Sequence, residues 1–221
     1  MLRHLLALPL LAFGASAALA QDDAMCRNGL FPAEKQFAVA RIGGSDRAYF
    51  YSDEGGCPVT NSADCSTKSY LVPGDTIVFS RIRNRFVCAF FPDDSGGTAG
   101  WIEMKRLLLQ PHDTRALPEA WLGDWTSSGN PVMRFSKDLG ALRVEGEAFW
   151  PGPPGTHDWP STHEGSIAGR VEVTGNKGFY RDEDLCEVRF TLLGDYLVAN
   201  DNGQCGGANV SFSGVYVRQG G

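Results

Sequence analysis

Glu145 and Glu147 stand two residues apart in Leu142–Phe149, a run whose alternation reads as a β-strand and so puts both carboxylates on one face. Residues so spaced lie roughly 7 Å apart, within the range of carboxylate pairs that cleave glycosidic bonds. A catalytic pair also needs a cleft and one carboxyl with a raised pKa. Leu142 and Val144 opposite Arg143, Glu145 and Glu147 describe instead a strand with one apolar and one solvated face. A cell-wall hydrolase built on this pair is therefore the second of two alternatives to the leading function developed below.

Three other groups invite a binding role. Trp150, His157 and Trp159, with Asp158, His163 and Glu164, decorate a proline-rich loop, where indole faces suit sugar rings and His with carboxylate suits metal. A loop carrying polar residues needs no ligand, and that is the plainer reading. Tyr49 and Tyr51 flank Phe50 and share one strand face, so their rings would line a groove for an extended chain unless that face is core. Arg81, Arg83 and Arg85 alternate into a basic stripe suited to phosphate or carboxylate, although charge on the outer face of a hairpin is the ordinary case.

No G-x-S-x-G, H-E-x-x-H, S-x-x-K, Walker or dinucleotide glycine motif occurs in the chain. No C-x₂-C pair exists for zinc, and no metal or cofactor is expected. The six cysteines, Cys26, Cys57, Cys65, Cys88, Cys186 and Cys205, suit disulfides in an exported protein, which leaves no thiol nucleophile. The expectation is a protein that is not an enzyme.

Export is read from the N-terminus. A short basic start at Arg3, the apolar run Leu5–Phe13 and the ending Ala18-Leu-Ala20 spell a secretory signal over residues 1–20. Cleavage after Ala20 leaves 19 basic against 26 acidic residues, a net charge of −7, which argues against nucleic acid as a partner. No segment approaches the roughly 20 apolar residues of a membrane span. The expected location is periplasmic or secreted.

The elements that must position these groups are strands. Phe37–Ile42, Ala48–Tyr51, Thr76–Ile82, Phe86–Phe91 and Trp101–Met104 precede a short strand or helical turn at Arg106–Leu109. Val132–Phe135, Leu142–Phe149, Ser166–Val173, Cys186–Leu192, Tyr196–Ala199 and Val210–Val217 follow, with Thr174–Gly178 among the turns between them. Residues 111–118, bounded by prolines, read as a linker between a domain at 21–110 and another at 119–221. Cys186 and Cys205 are then the natural pair of the second domain. The first domain keeps three possible pairings, of which Cys57 with Cys65 and Cys26 with Cys88 is preferred.

Lys68-Ser-Tyr-Leu-Val-Pro-Gly-Asp-Thr-Ile-Val-Phe79, Phe86–Phe91 and Gly100-Trp-Ile-Glu103 together resemble a bacterial SH3-like domain across residues 36–109. That resemblance implies a small barrel of the kind that often binds cell wall or peptide. Leu122-Gly-Asp-Trp125 with Phe212-Ser-Gly-Val-Tyr-Val-Arg218 is similar to small calycin-like Gly-x-Trp barrels, in which Arg218 would cover the Trp125 face. The tail from Cys186 to Arg218 also resembles the C-terminal barrel of exported lysozyme-inhibitor-type proteins. The fold expected is all-β: an SH3-like barrel followed by a calycin-like antiparallel barrel, stapled by disulfides.

The function expected is recognition of an envelope component, peptidoglycan or protein, with inhibition of a wall hydrolase or protease as the first alternative.

Overall fold

A computed structural model of the protein describes residues 25–60, 63–93, 95–127, 132–151 and 162–220. The signal segment 1–20, His157 and Trp159 lie outside the described residues. Seven strands build the first antiparallel sheet: β1 (Ala38–Ile42), β2 (Ala48–Tyr51), β3 (Ser66–Leu71), β4 (Thr76–Arg83), β5 (Phe86–Phe91), β6 (Thr98–Glu103) and β7 (Leu107–Gln110). Their spatial order is β3-β2-β6-β5-β4-β1-β7.

Eight more close an antiparallel barrel: β8 (Gly123–Thr126), β9 (Val132–Asp138), β10 (Ala141–Pro151), β11 (Thr162–Thr174), β12 (Lys177–Arg181), β13 (Glu187–Leu193), β14 (Tyr196–Asp201) and β15 (Gly214–Arg218). Among the described residues the only helical turns are 3₁₀, and no helix is long and apolar enough to cross a membrane.

Arg106–Leu109 proves to be both of its candidates: a 3₁₀ turn at Met104–Arg106 runs directly into β7. Three strands, β3, β8 and β12, have no counterpart among the expected runs. β3 is a polar edge strand with only Leu71 buried, so it lacks the apolar alternation that marks a half-buried strand. β12 begins inside the expected turn, because Thr174 pairs with Lys177 and leaves only Gly175 and Asn176 to turn the chain. Gly178 can lie in that strand because a Cβ there would sit 3.1 Å from the Trp121 ring, which fills the barrel above it. The last run also shortens: only Gly214–Arg218 is strand, while Val210 and Phe212 are buried in the loop before it.

All three disulfides form as preferred, Cys26–Cys88, Cys57–Cys65 and Cys186–Cys205. None joins the first sheet to the barrel. Arg218 lies over Trp125, 4.2 Å from the ring centroid, and donates to the carbonyls of Leu122 and Ala120. The barrel interior is solid, packed with Trp121, Trp125, Tyr180, Phe190, Phe212 and Tyr216. Asp201 organises the Gly-rich tail by accepting from Ser211 Oγ and the N–H groups of Gly203 and Phe212.

Sheet and barrel meet along an apolar seam. Val39, Val78, Phe86, Phe90 and Trp101 of the sheet share one cluster with Leu193, Val198 and Val215 on the barrel's outer face. Phe31 is wedged into this seam by a 3₁₀ turn, Phe31–Ala33, that contacts β14 and β15. Its ring lies 5.5 Å from both Phe37 and Phe90. The segment 111–117 is docked as well: the Asn176 N–H donates to the Thr114 carbonyl at 3.1 Å, and a side chain at Gly175 would collide with that carbonyl.

The arm before Phe31 is held by Cys26–Cys88 and by Arg27, which pairs with Asp53 at 2.8 Å. Burial alone would raise the Asp53 carboxyl, but hydrogen bonds from Arg27 and the Cys26 N–H outweigh it and hold the carboxyl below its usual value.

Phe31→Ala is expected to cost about 3–5 kcal/mol, measured by urea denaturation, because it opens a cavity between two packed layers. Asp53 is lowered in the folded state, so its stabilisation is present above the unfolded carboxyl pKa and is lost as pH falls through the folded value. Hydrogen exchange at the Cys26 amide should accelerate over that acidic window in the parent protein, relative to core amides, and show no such step in Asp53→Asn.

Candidate functional site

The sequence-derived residues disperse. Phe50 points into the sheet core, so Tyr49 and Tyr51 share the opposite face as strand geometry requires. Their surroundings differ. Tyr51 is half-buried, its ring 4.9 Å from Phe86 and packed against the seam. Tyr49 is 41% exposed and pairs directly across strands with Tyr70, 42% exposed, ring centroids 5.9 Å apart and edge-on. Arg47 lies 4.1 Å above the Tyr70 ring.

This platform is built on β2 and the edge strand β3. Arg106 makes the adjoining loop rigid by donating to the carbonyls of Gly43, Asp46 and Arg47. A small recess of about 60 Å³ between Arg47, Tyr49, Tyr51, Glu103 and Arg106 borders the platform. Tyr70 escaped sequence reasoning because β3 was not read as a strand.

Arg81 and Arg83 do not form a solvated stripe. A bulge between Phe79 and Ile82 turns Ile82 outward and leaves both arginines half-buried. Arg81 donates to the Met25 carbonyl, pairs with Glu34 at 3.1 Å and lies 5.7 Å from the Trp101 ring. It serves as a clasp for the N-terminal arm. One guanidinium nitrogen of Arg83 is buried without a hydrogen-bond partner among the described residues.

Trp150 stands on a projecting hairpin. Among the described residues β9 pairs with β10 as far as Glu147, while β10 and β11 continue together to Pro151 and Thr162. Phe149, 41% exposed, and Trp150, 46% exposed, occupy opposite faces of that extension. Trp150 is opposite His163, whose ring rests against Gly207. Glu145 and Glu147 are solvent-exposed on the outer barrel face, where Glu145 pairs across strands with Arg134 and Ala168. That convex setting supplies neither the cleft nor the desolvation that a glycosidase pair uses.

Two grooves flank the seam, and residue spacing alone gave no hint of either. One, of about 560 Å³, is lined by Arg41, Thr76, His112, Asp195, Tyr196 and Arg218 among others. Tyr196 hydrogen-bonds Thr76 there, and burial pushes its phenol above the usual range. The other, of about 620 Å³, lies between the arm at Pro32–Phe37 and the outer face of β12, β13 and β14. Among the described residues no group of three or more His, Cys, Asp or Glu is placed to hold a metal ion.

No protein-family model, no curated protein and no solved structure matches this chain.

Proposed function

We propose that the protein is a non-enzymatic binding protein of the bacterial envelope, working in the periplasm or outside the cell, with the first sheet acting as an SH3-like module. The observation that carries this reading is the Tyr49–Tyr70 platform capped by Arg47. Exposed tyrosines present rigid, amphipathic area at low entropic cost, and Arg adds a planar cation for carboxylate, as in a peptidoglycan stem peptide. Three disulfides favour an oxidising compartment. The seam packs the two halves against each other through a shared apolar cluster.

Purified peptidoglycan sacculi test the proposal in a pull-down. The parent protein is expected to be retained, and Tyr49→Ala/Tyr70→Ala to bind about tenfold more weakly, as expected when two stacking rings worth about 0.5–1.5 kcal/mol each are lost. Equal retention of parent and variant, or none of the parent, would overturn it.

A second reading rests on the projecting hairpin. Phe149 and Trp150, exposed on its β10 strand, suit insertion into a hydrolase cleft, as expected of an inhibitor that blocks a lysozyme or protease. Lysozyme turnover should then slow in the presence of the protein and recover with Phe149→Ala/Trp150→Ala. Turnover that ignores the parent protein removes this reading for lysozyme.

A further inference from the structure

The groove between the N-terminal arm and β12–β14 carries a charge opposite to that of the molecule. The whole chain has a formal net charge of −6, yet this groove is lined by Lys35, Lys177 and Arg189, with Glu34 as its acidic member. Glu34 is already paired with Arg81. Arg189 is shared with Glu187 at 3.6 Å. Lys177 and Lys35 have no carboxylate within 4.0 Å among the described residues.

Lys177 is directed by its strand neighbours. It pairs across strands with Thr191, and its ammonium donates to the Thr191 hydroxyl at 2.9 Å. Thr191 faces the seam side of β13 and is buried, so it holds the ammonium against the groove floor. Lys177 is exposed at the start of β12, and the partial desolvation of its ammonium lowers its pKa. A neighbouring negative charge would relieve that cost.

The groove is also partly apolar. Phe37 closes it from the arm and Phe179 from β12, with Val198 between. Arg181 and Arg189 both lie within cation–π range of Phe179, at 5.6 and 5.8 Å, and both also pair with Glu187. Its volume of about 620 Å³ matches a small organic ligand.

We infer that this groove binds a small carboxylate carrying an apolar or aromatic group, its anion taken by Lys177 with Arg189 and Lys35, and its apolar part laid between Phe37 and Phe179. The site needs both halves of the molecule, because the arm supplies Lys35 and Phe37 and the barrel supplies the rest. It is separate from the Tyr49–Tyr70 platform and does not depend on it.

N-acetyl-L-phenylalanine and its neutral primary amide are the probes, titrated into the full ¹⁵N-labelled protein. The acid should shift the backbone amides of Lys35, Lys177, Phe179 and Arg189, and bind at least tenfold more tightly than the amide. Lys177→Gln should weaken the acid about tenfold while its remaining spectrum matches the parent. Inorganic phosphate should bind more weakly than the acid, because it offers nothing to the two rings. Equal affinity for acid and amide, unchanged affinity in Lys177→Gln, shifts located elsewhere, or phosphate binding as tightly as the acid would each overturn the inference.

Discussion

The apolar seam between sheet and barrel is the constraint on which the rest of the molecule depends. Without it, Leu193, Val198 and Val215 would form a water-facing patch on the barrel wall, and Val39, Val78 and Phe90 another on the sheet. Burying one against the other gives the sheet a core on each face. Val87 and Ala89 of β5 enter the inner cluster, whereas Phe86, Cys88 and Phe90 enter the seam. Every side chain of such a strand is selected for packing, which leaves binding groups to the edges, loops and flanks.

That arrangement explains what was legible in the residues. The unbroken run Phe86–Phe91 reads as a strand, and continuous apolar character signals burial on both faces. Leu197-Val-Ala199 and Val215-Tyr-Val217 repeat the signal in the barrel. Read together, these runs announce two surfaces that must cover each other. The Trp125–Arg218 pair was legible because a motif fixes both partners. β3 was not, since an edge strand with solvent on both faces has no reason to alternate.

Site residues follow the same rule. Tyr49 was found through strand alternation, but its partner Tyr70 was hidden with its strand. Arg81 looked like surface charge because the arm that it clasps is distant in the chain. The basic groove was invisible for a stronger reason: Lys35 and Lys177 come from opposite halves, and only packing along the seam makes them neighbours. The acidic balance of the whole chain pointed away from any such site.

Phe31 lies near the start of the described chain, yet its neighbours β14 and β15 are the final two strands, and β15 also closes the ring with β8. A chain that emerges N-terminus first can oxidise Cys26 with Cys88 and complete the first sheet while the wedge still has no counterpart. Until then Trp121, Trp125 and the face of Phe31 turned to β14 and β15 remain uncovered together. The interval before β15 arrives therefore leaves apolar surface of both layers exposed to water.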